Sequence, residues 1–164
     1  MGYYLKQKTI VDVAHQLRIL NKKVVFTHGT FDLFHAGHSY FLSQSKKEGD
    51  ILIVGVDSDK KVSKVKGLSK PIIPQLHRIE MLLNHKDVDF VFLIDKISSN
   101  EEKYYLEMYE NLFPYLMTYG RNFEYQNQFL KKSYQIKGVK YKKINKVFKE
   151  AISASKIIQK IKES

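Results

Sequence analysis

The 164-residue chain contains no cysteine. This absence excludes disulfide bonds, thiolate zinc sites and catalysis by a cysteine nucleophile. The chain also lacks any apolar run that approaches the ~20 residues a membrane span needs. Its first residues, Met1 to Lys6, have no uninterrupted apolar core of the kind found in signal peptides. We therefore expect one globular domain in the cytoplasm.

Acidic residues are scarce, with 17 carboxylates against 28 lysines and arginines, which gives a formal charge of +11. Such an excess favours anionic partners without identifying them. Residues 131–149 hold eight lysines and no carboxylate. This stretch could form a nucleic-acid or membrane-surface patch, or a solvated lysine-rich surface. We favour the solvated surface because the stretch lacks arginine and includes apolar residues with a structural pattern.

The spacing of apolar residues predicts strands that alternate with helices. This pattern indicates an α/β fold, a Rossmann-like parallel sheet with helices on both faces. The polar stretch 57–74 predicts a mobile loop. Predicted helices cover 9–20, 37–47, 75–84, 101–113 and 153–162, and predicted strands cover 23–27, 51–56, 88–94, 116–119 and 138–144.

In a parallel sheet of this kind, ligands bind beyond the carboxyl ends of the strands. The predicted ends lie at Thr27, Asp57, Asp95 and Gly120. A turn follows the first of these ends, where Gly29 permits close backbone approach, and the chain then enters a helix. The N–H groups of that turn and the positive end of the helix both favour a bound anion. This pattern predicts a phosphate site.

Two histidines three residues apart, His35 and His38, lie at the start of this helix with Gly37 between them. Such spacing lets both rings point the same way, and imidazoles can donate hydrogen bonds to phosphate oxygens that gain charge in a transition state. Zinc binding is one alternative, but zinc needs three or four ligands and Asp32 is the only carboxylate nearby. Structural histidines are the other alternative, which the Gly-Thr-Phe-Asp turn argues against.

Residues 29–38, Gly-Thr-Phe-Asp-Leu-Phe-His-Ala-Gly-His, resemble the signature of the cytidylyltransferase-like nucleotidyltransferases with their H-x-G-H motif. Residues 48–59 are similar to the family's second strand and its aspartate-bearing end. Residues 64–72 resemble the K-G-x-x-R-P segment of sugar-phosphate adenylyltransferases, with Lys70 where arginine is usual. Residues 152–158 resemble the I-S-T-T/S-x-I motif. The chain departs from the family at Arg121, Phe148 and Ala154.

The resemblance implies a role for each matching residue. It implies that His35, His38 and Lys66 are catalytic. It also implies acceptor contacts at Asp32, Lys64 and Arg78. Nucleotide-binding residues are implied at Thr30, Phe31, His35, His38, Lys66, Gly120, Asn122, Ser153, Ala154 and Ser155.

The implied activity is transfer of a nucleoside monophosphate from ATP or CTP, accompanied by Mg²⁺, to a phosphorylated small molecule, with release of pyrophosphate. A sugar phosphate is the favoured acceptor. Glycerol-3-phosphate cytidylyltransferase and FMN adenylyltransferase are the enzyme alternatives. A basic nucleic-acid-binding module and a nucleotide-binding regulator without catalysis are the non-enzyme alternatives. The resemblance also implies a homodimer.

We expect the catalytic domain to span residues 23–164. Residues 1–22 would form an N-terminal helical extension or a dimer element, and the sequence does not choose between them.

Overall fold

The computed structural model describes residues 1–120, 136, 138–145 and 153–163. Within these residues six parallel strands form one sheet in the order β1-β4-β3-β2-β5-β6. The predicted Rossmann-like α/β fold is confirmed. The strands are β1 (Tyr3–Tyr4), β2 (Val24–Gly29), β3 (Ile51–Asp57), β4 (Phe90–Ile94), β5 (Leu116–Tyr119) and β6 (Lys140–Lys143). The helices are α1 (Gln7–Ile19), α2 (Ala36–Lys46), α3 (Asp59–Lys66), α4 (Gln75–Leu83), α5 (Glu101–Leu112) and α6 (Ala154–Glu163).

Strands β2 and β3 lie at the centre of the sheet. Their residues are mostly apolar because helices cover both faces of the sheet. Successive side chains of a strand point to opposite faces. Phe26 of β2 therefore packs on the side of α1 and α5, while Val25 packs on the side of α2 and α4. The same alternation directs the next residue on the Phe26 side, His28, toward α5.

The strand order creates a switch point at β2. The chain leaves β2 for β3 and β4 on one side and later crosses to β5 and β6 on the other. In open α/β sheets the crevice beyond the carboxyl ends of the strands at such a point is the usual ligand site. Helix α2 begins directly after β2, so its N-terminus lies at this crevice.

The stretch 57–74 contains helix α3, so its prediction as a mobile loop was wrong. The Ser58 hydroxyl accepts a hydrogen bond from Lys61 N at 3.3 Å and caps the helix. Asp59 in the first turn complements the helix dipole, and Val62 is buried. The helix ends at Gly67, whose φ of +93° few other residues adopt.

The first 22 residues add to the same sheet and core. Tyr3 and Tyr4 pair with Phe90 and Val91 of β4. In α1, Ile10 is fully buried in the core cluster on the α5 side. The domain boundary at residue 22 and a role in dimer formation stay predictions. No helix in the described ranges has the length and apolar character required to cross a membrane.

Candidate active site

The segment 29–35, here called the entry turn, joins β2 to α2. Phe31 and Leu33 have φ angles of +53° and +43°, a left-handed conformation that is strained for bulky residues. The Asp32 carboxylate holds this shape, accepting hydrogen bonds from Ile72 N at 2.9 Å and Ile73 N at 2.8 Å. Both oxygens of the carboxylate are thus used to attach the entry turn to the segment before α4.

The two histidines of the motif stack on each other, with ring centroids 4.0 Å apart. His35 Nδ1 accepts a hydrogen bond from Gly37 N at 3.0 Å, and His38 Nδ1 accepts one from His35 N at 3.4 Å. An Nδ1 atom that accepts must be unprotonated in the neutral ring, which places the hydrogen on Nε2. Among the described residues, neither Nε2 atom has a hydrogen-bond partner.

Desolvation keeps these rings neutral near pH 7. Desolvation, helped by the neighbouring His35, lowers the pKa of His38 to about 4. Desolvation also lowers the pKa of His35. Phe31 and Phe34 pack against the His38 ring at centroid distances of 5.6 and 5.5 Å. Near pH 7 the pair therefore offers two neutral Nε2–H donors at the start of α2.

Lys66 brings a positive charge to the entry turn from the last turn of α3. Its Nζ atom donates a hydrogen bond to Thr30 Oγ1 at 3.1 Å. Its charge also contributes to the lowered pKa of His38. Lys64, two residues earlier, instead donates to Ser98 O at 3.2 Å. The structure therefore brings Lys66, but not Lys64, to the histidine pair.

Arg78 is completely buried beneath the entry turn. Its guanidinium donates to Ile73 O at 2.9 Å, Asp57 O at 2.8 Å, Asp59 Oδ1 at 2.8 Å and Thr30 O. These bonds join the entry turn, the end of β3, the start of α3 and the segment before α4. The predicted acceptor contact of Arg78 does not fit this geometry, because the side chain has no exposed surface.

The other predicted nucleotide-binding residues lie farther along the chain. Gly120 follows β5 at the carboxyl edge of the sheet, and Asn122 lies outside the described residues, as do Arg121 and Phe148. Ser153 accepts a hydrogen bond from Lys156 N at 3.3 Å and so caps α6. Ala154 begins that helix and Ser155 is exposed on it. Their contacts with a nucleotide stay predictions.

A second group of polar residues lies on the other face of the sheet, and no motif in the sequence indicated it as a site. This group, here called the α5-side cluster, comprises His28, Asp57, Lys61, Tyr105 and Tyr109. His28 Nε2 and the Tyr109 hydroxyl are 2.6 Å apart, and the Tyr105 hydroxyl donates to Asp57 Oδ1 at 2.8 Å. A histidine at the end of a buried apolar strand was the signal that could have identified it.

Lys61 anchors this cluster to the start of α5. It is only 6% exposed, and its Nζ atom donates to Lys96 O at 2.9 Å and pairs with Glu101. The ammonium group also lies 4.8 Å from the ring centroids of Tyr104 and Tyr105, a favourable cation–π distance. In the described part of the chain, no cluster of three or more histidine or acidic residues could hold a metal ion.

Much of the lysine-rich stretch 131–149 lies outside the described residues. Of its described lysines, Lys140 donates to the Tyr115 hydroxyl at 3.1 Å, and Lys142 pairs with Glu48 at 2.8 Å. Both lie on β6 at the edge of the sheet. These contacts attach β6 to the domain, and the solvated lysine-rich surface, which we favoured over a nucleic-acid patch, stays a prediction.

Comparison with known proteins connects this geometry to one family. A family model described as cytidylyltransferase-like matches residues 26–160. Over 163 residues the chain is 36% identical to the bifunctional protein HldE of Campylobacter jejuni strain RM1221. The aligned region covers 99% of this chain and 33% of that protein. The HldE of Aliarcobacter butzleri is 36% identical over 115 residues, 70% of this chain and 23% of that protein. The chain thus spans about one third of the length of its similar relative in C. jejuni.

Solved structures show the same fold. The lipopolysaccharide core biosynthesis protein of Thermoplasma volcanium superposes with a TM-score of 0.56 and 27% identity, covering 77% of this chain and 99% of that one. The pantoate-beta-alanine ligase of Francisella tularensis superposes with a TM-score of 0.64 and 15% identity, covering 100% of this chain and 79% of that one.

Proposed function

Because the chain belongs to the cytidylyltransferase-like family and carries its nucleotidyltransferase domain, we propose that it transfers a nucleoside monophosphate from ATP or CTP to a phosphorylated small molecule, releasing pyrophosphate. The predicted enzyme class, nucleotidyltransferase, is confirmed by this membership. The base of the donor, the acceptor and the activity of the whole protein are our proposals.

The observation that carries this proposal is the fixed tautomer of the histidine pair. Both Nδ1 atoms accept backbone hydrogen bonds, so both Nε2–H groups are available to a ligand. Thr30 lies in the entry turn, and Lys66 donates a hydrogen bond to its hydroxyl group. Two neutral donors and one cation at a helix N-terminus match the needs of a triphosphate whose α-phosphate gains negative charge in the transition state.

The reaction needs no base. An acceptor phosphate oxygen, already anionic, attacks the α-phosphorus, and the bond from that phosphorus to the bridging oxygen breaks. The bridging oxygen keeps the electron pair and leaves as part of pyrophosphate. Catalysis then consists of positioning and charge stabilisation. We expect the triphosphate to enter as its Mg²⁺ complex, with the ion held mainly by phosphate oxygens and water.

We assign the residue roles by what each side chain touches. His35, His38 and Lys66 contact the transferred and leaving phosphates, and the N–H groups of Thr30 and Phe31 hold phosphate oxygens. Gly120, Asn122 and residues 153–155 remain proposed nucleotide contacts. The bonds of Asp32 and Arg78 within the protein support a role in positioning the entry turn. Lys64 keeps its proposed role at the acceptor.

A sugar phosphate is the acceptor we favour. The Lys-Gly-x-x-Lys-Pro segment at residues 66–71 supports it. So does the similarity to a protein named for lipopolysaccharide core biosynthesis. Glycerol 3-phosphate with CTP and FMN with ATP are the enzyme alternatives. A cytoplasmic location and a homodimer also remain proposals, and light scattering would test the second.

The test is pyrophosphate release by the purified chain, measured with four nucleoside triphosphates against a panel of sugar phosphates, polyol phosphates and FMN. We expect release that depends on one acceptor class and one base. The His38→Ala variant serves as the inactive reference. Release that never exceeds the rate without acceptor, for every combination, would contradict the proposal.

A further inference from the structure

We propose that Asp57 selects the acceptor by accepting a hydrogen bond from one of its hydroxyl groups, so that the substrate is a hydroxylated sugar or polyol phosphate. This inference rests on the proposed nucleotidyl transfer. It assigns a role in specificity to a residue outside the histidine motif and the lysine segment. Four observations support it, which concern the position, the orientation, the charge and the surroundings of Asp57.

The position of Asp57 is the end of β3, beside the entry turn. Val56 pairs with Gly29, the last residue of β2, so Asp57 at the end of β3 lies beside Thr30, the first residue after β2. Neighbouring strands are roughly 4.8 Å apart. The crevice at the switch point between β2 and β5 is the expected binding site of the nucleotide. The ends of β3 and β4 lie on the other side of the entry turn, which leaves them for the acceptor.

The orientation of Asp57 is fixed by Tyr105 of α5, whose hydroxyl donates to Oδ1 at 2.8 Å. Burial and the negative charge of Asp57 raise the pKa of Tyr105 well above its usual range, so the hydroxyl remains a donor. Among the described residues, Oδ2 of Asp57 accepts no hydrogen bond, and the residue is partly exposed. One carboxylate oxygen therefore remains to receive a donor from a ligand.

The negative charge of Asp57 decides which ligand group can lie over it. A phosphate would be repelled there, so the acceptor phosphate is expected to lie away from Asp57, toward the α-phosphate that it attacks. An ammonium group would meet the exposed cations of Lys66 and Lys96, which lie at the same edge of the sheet. A neutral hydroxyl meets neither repulsion and can donate a charge-assisted hydrogen bond.

The surroundings of Asp57 make it a rigid acceptor. His28 stacks on the Tyr105 ring at 5.0 Å, and Lys61 lies 4.8 Å from the same ring. Desolvation lowers the pKa of His28 to about 4, so this ring adds no charge near pH 7. These two contacts hold the Tyr105 ring in place. The Asp57 carboxylate, to which Tyr105 donates its hydrogen bond, is therefore already oriented before the acceptor binds.

The experiment compares acceptors that differ by one hydroxyl group. Pyrophosphate release is measured with glycerol 3-phosphate against 3-hydroxypropyl phosphate, and with glucose 1-phosphate against 2-deoxyglucose 1-phosphate. Ethanolamine phosphate, which has an ammonium group and no hydroxyl group, completes the set. The proteins are the wild type, Asp57→Asn, Tyr105→Phe and, as a control that removes the same charge, Asp12→Asn on the exposed face of α1.

We expect Asp57→Asn to lower kcat/KM for the preferred hydroxylated acceptor by ~10-fold or more, mostly through the acceptor KM, since a hydrogen bond to a charged group has about this effect. The deoxy partner and the triphosphate KM should not change. Tyr105→Phe should lower the ratio of kcat/KM for the hydroxylated acceptor to kcat/KM for its deoxy partner by about 3-fold. Asp12→Asn should match the wild type. If Asp57→Asn unfolds, the Tyr105→Phe ratio decides.

Three results would overturn the inference. The first is an equal loss on both members of an acceptor pair. The second is a change in the triphosphate KM with the acceptor KM unaffected. The third is a wild type that uses only ethanolamine phosphate, which has no hydroxyl group, in which case nucleotidyl transfer stands and the role of Asp57 fails. A wild type that releases no pyrophosphate with any acceptor contradicts the proposed function itself.

Discussion

The two faces of the sheet each place a half-buried histidine near the carboxyl edge, and the two rings are used differently. Burial lowers the pKa of both His28 and His38 to about 4. His38 turns Nδ1 to a backbone N–H and leaves Nε2 to a ligand, whereas His28 bonds through Nε2 to the Tyr109 hydroxyl. The nitrogen that remains available, and not the depth of burial, therefore distinguishes a reactive histidine from a supporting one.

The largest effect is expected when the available Nε2 atom of His38 is removed. We expect His38→Ala to lower turnover by ~10²-fold or more, because one transition-state donor typically has an effect of that size. The fold should survive, as judged by circular dichroism and the thermal midpoint. His77→Ala, which removes an exposed histidine from α4, is the matched control. Turnover by His38→Ala close to that of the wild type would remove the pair from the mechanism.

The next test acts on Arg78, the residue that links the entry turn to the end of β3. Arg78→Ala should lower the free energy of unfolding by about 2–3 kcal/mol, since it leaves buried carbonyls and Asp59 without their donor. Urea unfolding measures this loss. Arg18→Ala on α1, which removes a half-buried arginine bonded to Phe113 O, should cost less. Equal losses would mean that the link beneath the entry turn adds no particular stability.

A smaller test separates two lysines of one helix. We expect Lys66→Ala to raise the triphosphate KM by ~10-fold, the scale of one charge-assisted contact. Lys64→Ala should leave that KM unchanged, because Lys64 bonds to Ser98 O instead. Initial rates at saturating acceptor give both values. If Lys66→Ala changes only the acceptor KM, the assignment of Lys66 to the triphosphate is wrong.

The smallest effect at pH 7 is expected for His28. Its pKa of about 4 in the folded protein lies below the ~6.5 of an unfolded chain. The unfolded state therefore binds the proton more tightly, and the free energy of unfolding falls as the pH decreases from about 6.5 to about 4. His28→Gln should flatten this slope and change turnover at pH 7 by less than ~3-fold. An unchanged slope would assign the pH dependence to other groups.

The sequence predicted the parts of the fold that depend on local pattern. The apolar runs of β2, β3 and β4 and the amphipathic spacing of α4 appear in the structure within a few residues of their predicted limits. Strand β1 was missed because two exposed tyrosines carry no apolar pattern, and only their pairing with β4 makes them a strand. Helix α3 was missed because five of its eight residues are charged and only one is deeply buried and apolar.

The site was predictable where residues act close together in the chain. The His35 and His38 pair and the neighbouring Thr30 follow from one segment of sequence. Lys66 came from the family resemblance, and its contact with Thr30 is a finding of the structure. The partnership of Asp57 with Tyr105 joins residues 48 positions apart. No spacing rule connects such residues before the helices pack on the sheet.

The buried guanidinium of Arg78 has a consequence for the order of folding. Its partners come from residues 30, 57, 59 and 73, so the entry turn acquires its support only after α4 has docked. A nascent chain that has emerged only as far as α2 holds both histidines of the motif but lacks this crosslink. Nucleotide affinity should therefore arise late in synthesis, when the second half of the sheet is in place, and not with the first strand and helix.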